Sequence, residues 1–220
     1  MNRLTYLSTA LLLLLALISC SENEPKTEEF VDWRARNAAF FSSKMAEANA
    51  AVAQAKQQYG DAWESHCDWR TYLSYSLEPG EGRTQSDSIC AEVVRRSDGT
   101  DVRPVFTTDS VRIYFRGRLI PSASYPDGLV FSHSGQSPEF DRVFDRQTAA
   151  SAMFRVSNLV RGIGTALLHM RNGDLWRIYV PHPLGYSTTG QGEIPGYSVL
   201  VFEAELLEHY RAGTSSGSWN

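Results

Sequence analysis

Between residues 28 and 59 the apolar side chains Ala38, Phe41, Met45, Ala48, Val52, Ala55 and Tyr59 recur at spacings of three and four. That period predicts one long helix with a single apolar stripe, and Gly60, directly after it, suits a helix stop. The stripe fits a dimerising coiled coil or a helix packed on its own domain. Three of its seven positions are alanine, too small for a good knobs-into-holes seam, which favours the second reading. Beyond Gly60 the period changes. Segments 68–77, 89–95, 111–120, 175–180 and 199–207 are rich in aromatic and β-branched residues and read as strands. Residues 160–170 read as a short helix with Ile163, Leu167 and Met170 on one face, closed by Asn172 and Gly173. Turn-rich or irregular stretches lie at 78–86, 98–101, 122–147 and 181–197, and the tail from Gly213 is polar and loose. Strands dominate, so the pattern predicts an α+β domain: an antiparallel sheet covering one short helix and preceded by a long one.

The first twenty residues follow a different rule. Arg3 precedes a nine-residue apolar run, Ala10 to Ile18. A membrane-spanning helix needs roughly 20 apolar residues, so the run reads as a signal peptide. Leu17, Ile18, Ser19 and Cys20 resemble a bacterial lipobox. The resemblance implies cleavage before Cys20 and acylation of that cysteine, which would tie the chain to a membrane through its lipid. Ser21, in place of an aspartate, favours the outer membrane by the same resemblance, and SENEPKTEE (21–29) is similar to the export tags of some surface lipoproteins. The organisation is then signal peptide 1–19, tether 20–27, helix 28–60, linker and strand 61–87, main domain 88–211 and flexible tail 212–220.

Composition narrows the chemistry. A net charge of −4 over 220 residues offers no broad attraction for phosphate backbones and disfavours nucleic-acid binding. Three cysteines without a CxxC pair, and five histidines without common spacing, predict no metal site. No GxSxG or HExxH occurs. Gly162-Ile163-Gly164 begins a GxGxxG but lacks the third glycine and follows no parallel strand. Cys67 and Cys90 sit almost symmetrically about the 78–86 turn, at the outer ends of an apparent hairpin, and predict a disulfide in an oxidising compartment.

From about residue 88 to 211 the chain resembles the FKBP-type peptidyl-prolyl cis-trans isomerases. VRIYFRGRL (111–119) is similar to the family's strand ending in Tyr-x-Gly, and DGLVF (127–131) to its Asp-Gly-x-x-Phe turn. NLVRGIGTALLHMRNG (158–173) is similar to its Val-Ile-x-Gly-Trp helix segment and Met-x-x-Gly ending. PHPLGYSTTGQGEIPGYSVLVFEAELL (181–207) is similar to its Ala-Tyr-Gly loop, Ile-Pro turn and last strand. The implied fold is a curved five- or six-stranded antiparallel sheet wrapped on the short helix, and helix 28–59 lies outside the matching part.

The resemblance implies an isomerase of X–Pro bonds acting on proline-containing polypeptides and assisting the folding of exported proteins. Rotation about that bond breaks no covalent bond, so it calls for no nucleophile, metal or cofactor. By resemblance Phe131 and Phe202 are aromatic walls of the pocket, and Tyr186 hydrogen-bonds the substrate backbone. Leu159 and Val160 take the Val-Ile place, with the Val160 N–H binding the substrate carbonyl. Ile194 closes the cleft, and Phe154 is an aromatic on the strand before the helix. Three positions depart from the family: Ile163 replaces the floor tryptophan, Phe115 a tyrosine and Ser132 an aspartate, although Phe144-Asp145 offers a second Phe-Asp pair. These departures bear on rate more than fold. They also motivate an alternative, a non-catalytic chaperone or binding module on the same fold. In the dimer-arm reading, helix 28–59 would join two copies.

Overall fold

The computed structural model describes residues 29–78, 83–99, 103–135, 147 and 150–214. The signal segment with Cys20, and the Phe144-Asp145 pair, lie outside the described residues. Helix α1 spans Trp33–Tyr59, the single turn α2 Trp63–His66 and helix α3 Arg161–Leu167. The strands are β1 Trp69–Leu73, β2 Ser88–Arg95, β3 Ser110–Arg118, β4 Val130–His133, β5 Ala152–Arg155, β6 Leu175–Val180 and β7 Leu200–Tyr210.

Among the described residues, seven strands join one antiparallel sheet in the order β1-β2-β6-β7-β3-β4, and β5 also pairs with β3. The architecture is thus α+β as expected, with more strands than the five or six expected. Two additions account for the difference. β1, read as a strand outside the FKBP-like part, pairs with β2 over its full length. β3 divides its outer edge, giving Ser110–Ile113 to β5 and Arg116–Arg118 to β4. β4 lies in the stretch read as irregular, and β5, which the residue pattern does not show, is the strand that the resemblance implies around Phe154.

Strand alternation sorts the sheet into two faces. On the inner face Trp176, Ile178 and Val180 of β6 align with Phe202 and its neighbours on β7, and α3 packs there. Gly162 lies so close to Val180 that a Cβ would overlap its side chain, so the GxG of α3 serves helix–sheet packing. On the outer face lies α1. Phe40 meets Tyr179, with ring centroids 6.0 Å apart, and Lys44 Nζ sits 5.6 Å from the rings of both Trp69 and Tyr179. α1 thus covers the outer face over β1, β2 and Tyr179 of β6, and β7, central in the sheet, is buried from Leu200 to Leu206.

The buried stripe of α1 is Trp33, Asn37, Phe41, Met45, Ala48, Val52 and Ala55. It differs from the expected stripe at its ends: Asn37 replaces Ala38, and Tyr59 is exposed and stacks on His66. These side chains are buried by the chain's own sheet, so the stripe is not left open as a seam for a second copy. Gly60 ends α1 with φ 54° and donates its N–H to the Lys56 carbonyl.

The expected Cys67–Cys90 bridge does not form; both thiols are free and buried. The β1–β2 register pairs Trp69 with Glu92 and Thr71 with Cys90. Continued to Cys67, that register puts the two cysteines four residues apart along the hairpin, or about 13 Å at strand rise. A disulfide needs Cα atoms within about 7 Å. Cys67 packs with Val52 and Ala55, and burial pushes the Cys90 thiol up to about 12.

Candidate active site

The inner face opens into a cavity of about 350 Å³ where β3, β4, β5 and β7 meet the start of α3. Two edge-to-face aromatic pairs line it. Phe131 and Phe202 have ring centroids 5.5 Å apart at 84°, and Phe115 and Phe154 are 5.7 Å apart at 75°. Such pairs are favoured by the ring quadrupoles and hold each ring at a fixed attitude. Ile163, Leu159 and Val160 contribute apolar surface from α3 and its approach. Tyr186 enters from the β6–β7 loop, and Ser132, Asn158 and Gln191 add polar groups.

A β-bulge aims Phe131 inward. Gly117 pairs with Ser132, but Arg118 pairs with Val130, so Phe131 is the extra residue on β4. A bulge breaks the alternation of side chains, which lets the adjacent residues Phe131 and Ser132 line the same cavity. Across β3, Gly117 leaves room for both rings. A Cβ there would stand 2.7 Å from atoms of Phe131 and of Phe202.

The structure thus brings together Phe115, Phe131, Ser132, Phe154, Leu159, Val160, Ile163, Tyr186 and Phe202, all predicted site residues. Ile194 is the exception. It is buried in the main core and exchanges two backbone hydrogen bonds with Gln191, which lines the cavity. Gln191, Asn158, Ile113 and Ala204 escaped the sequence reading. Ile113 and Ala204 could have been found from strand period, since each lies two residues from a predicted site residue on its strand. Ser132 lines the cavity, and among the described residues no carboxylate does.

The backbone supplies a donor. Val160 begins α3 as its N-cap, and its carbonyl accepts the Gly164 N–H at 3.1 Å. No acceptor for the Val160 N–H itself occurs among the described residues, as is usual where a helix starts.

Behind the cavity, the outer face carries a ladder of charges. Arg177 Nη1 donates to Glu92 at 2.9 Å and Nη2 to Glu203 at 3.2 Å, and Arg116 Nε donates to Glu203 at 2.9 Å. These residues face one another across β2, β6, β7 and β3. Burial alone would raise the Glu203 carboxyl, but Arg116 and Arg177 hold it below its ordinary value. Glu203 adjoins Phe202, so the ladder fixes the β7 backbone directly behind an aromatic wall.

Residues 103–207 match a family profile described as FKBP-type peptidyl-prolyl cis-trans isomerase. This stretch of the chain is an FKBP-type domain. The macrophage infectivity potentiator of Trypanosoma cruzi is 33% identical over 133 residues, which is 60% of this chain and 58% of that protein. The FKBP-type 22 kDa peptidyl-prolyl cis-trans isomerase of Escherichia coli is 37% identical over 102 residues, 46% of this chain and 41% of its own. Among solved structures, FkpA from Escherichia coli covers 96% of this chain and 84% of its own, with a TM-score of 0.45 and 20% identity. The chain spans about half the length of the curated relatives it matches. The profile match to the FKBP-type domain starts after β2, so α1, β1 and β2 lie upstream of it.

Proposed function

We propose that the protein is a peptidyl-prolyl cis-trans isomerase that accepts the proline of a polypeptide in the Phe131–Phe202 cavity. The observation that carries this reading is the convergence of two aromatic pairs, Tyr186 and Val160 on one apolar hollow. Rotation about an X–Pro bond crosses a barrier of ~18–20 kcal/mol because it breaks amide resonance. The planar amide separates more charge than the twisted one. An apolar site that excludes water therefore favours the twisted form relative to the planar form. The proline ring enters between Phe131 and Phe202 over Ile163, the Val160 N–H donates to a substrate carbonyl, and the Tyr186 hydroxyl holds the peptide backbone. The protein makes and breaks no bond.

A protease-free isomerisation assay with a Phe-Pro or Leu-Pro peptide tests the reading. A rate clearly above the uncatalysed one at micromolar protein supports it, and an equal rate sinks it. The Ile163 floor offers a smaller surface than an aromatic and predicts a moderate rate.

The same reading includes a lipid anchor at Cys20 in a bacterial outer membrane, which the Leu17-Ile18-Ser19-Cys20 motif supports. Its clients would be exported polypeptides. Metabolic labelling with palmitate, lost on Cys20→Ser, tests the anchor; equal labelling of both chains rejects it. A homodimer through helix 28–59 is not carried forward, because the stripe that motivated it packs on its own sheet.

A further inference from the structure

Tyr186 reaches the cavity from a loop that contains two left-handed residues other than glycine, Ser187 at φ 59° and Tyr197 at φ 64°. Side chains hold that conformation only where their surroundings fix it. Here the two are tied together. Tyr197 donates its N–H to the Ser187 carbonyl at 3.0 Å, and Ser187 donates to the His182 carbonyl at 2.7 Å. The residue next to Tyr186 is thus held from residue 197.

Residues 197, 198 and 199 are held in turn by the start of α1. The Arg34 guanidinium lies 4.6 Å from the centre of the Tyr197 ring, within cation–π range. Hydrogen bonds hold the next two residues. Trp33 Nε1–H donates to Ser198 Oγ at 2.9 Å, and the Val199 N–H donates to Asn37 Oδ1 at 2.7 Å. Asn37 Nδ2 donates back to the Trp33 carbonyl, also at 2.7 Å. Asn37 is 1% exposed. It is a polar residue in an otherwise apolar stripe, hydrogen-bonded through both Oδ1 and Nδ2 and directional where a leucine would supply packing alone.

We propose that the start of α1 is a clamp that sets the position of Tyr186, and that Trp33 and Asn37 are positioning residues for the cavity. The proposal rests on the isomerase reading. Neither side chain touches the cavity; each acts through residues 197–199 and the Ser187–Tyr197 bond. The helix upstream of the FKBP-type domain thereby becomes part of the working site.

The test compares kcat/KM toward an X–Pro peptide for the wild-type chain, Asn37→Leu, Asn37→Asp, Trp33→Phe and Val52→Ala, with amide exchange at Tyr197 as a second readout. Asn37→Leu keeps volume but removes the acceptor, and it lowers kcat/KM by about tenfold, the scale of loss that small misplacements cause. Trp33→Phe removes one N–H and gives a smaller loss in the same direction. Asn37→Asp keeps the acceptor and recovers part of the activity. Val52→Ala loosens α1 far from the loop and lowers Tm without changing kcat/KM. Exchange at Tyr197 quickens in Asn37→Leu but not in Val52→Ala. Unchanged kcat/KM in both Asn37→Leu and Trp33→Phe overturns the clamp, as does an equal loss in Val52→Ala. If Asn37→Leu does not fold, Trp33→Phe decides. A wild-type chain with no activity overturns the isomerase reading itself, a result distinct from an active wild type with unaffected variants.

Discussion

Gly117 on β3 stands directly across from Phe202 on β7, and the space where its side chain would be is filled by the Phe131–Phe202 ring pair. Gly117→Ala therefore forces at least one ring away from its place. Overpacking of this kind costs about 1–3 kcal/mol. The expected result is a folded protein of lowered Tm with kcat/KM reduced about tenfold or more, as misplacement of a site wall implies. Wild-type activity in this variant would show that the ring pair does not form the working wall.

Phe131→Ala and Tyr186→Phe separate the two halves of the site. Phe131 is half-buried, so its loss costs less than the ~3–5 kcal/mol of a fully buried phenylalanine, while its removal opens the hollow to water. We expect a large loss of kcat/KM and a modest loss of stability. Tyr186→Phe keeps the ring and removes one hydroxyl, worth about 0.5–1.5 kcal/mol, so kcat/KM falls severalfold with Tm nearly unchanged. Isomerase kinetics beside thermal melts check both.

The cysteines provide a test that needs no activity. Cys67 and Cys90 are free and buried, and burial raises the Cys90 pKa to about 12, far above any working pH. A thiol reagent should leave Cys90 unlabelled in the folded protein at pH 7. Both thiols should label after denaturation without a reducing agent. A need for reductant would show that they are bonded.

Glu203 predicts how stability responds to acid. Its folded pKa is depressed by Arg116 and Arg177 against the opposing effect of burial. Its contribution is therefore complete above the unfolded carboxylate value of about 4.3 and is lost as pH falls through the lower folded value. Glu203→Gln should flatten the acid limb of a Tm-against-pH curve. It should also destabilise the protein at pH 7 by about 3 kcal/mol, the scale for breaking a buried pair. An unchanged acid limb would count against the ladder.

Helix α1 covers Trp69, Cys90 and Tyr179 on the outer face. Deletion of residues 29–60 uncovers that surface, and patches of this kind promote association. The expected product is less stable and prone to aggregate in sedimentation. An equally stable, soluble monomer would show that the helix is dispensable.

The long helix, five of the seven strands as separate segments and nine of the ten predicted pocket residues were legible in the sequence. Hydrophobic period and motif order record which side chains share a face. What escaped depends on register. The bulge at Phe131 is one extra residue in a polar segment, with no local signal to mark it. Cys67 and Cys90 look symmetric about a turn, but pairing begins at Leu73 and Ser88, six residues from one cysteine and two from the other. β5 is only four residues long, too short to show a period. Asn37 was passed over because a polar residue interrupts an apolar stripe, and its role becomes visible only beside Val199, far along the chain.

β7 is the last of the described strands along the chain and sits in the middle of the sheet, between β6 and β3. A nascent chain that stops before Val199 therefore has two partial sheets and no centre, and α1 has no Val199 to hold. Long-range closures of this kind slow folding. The sheet can therefore seal its core only once β7 has emerged from synthesis, and until then the aromatic walls on β3 and β4 wait for their Phe202 partner.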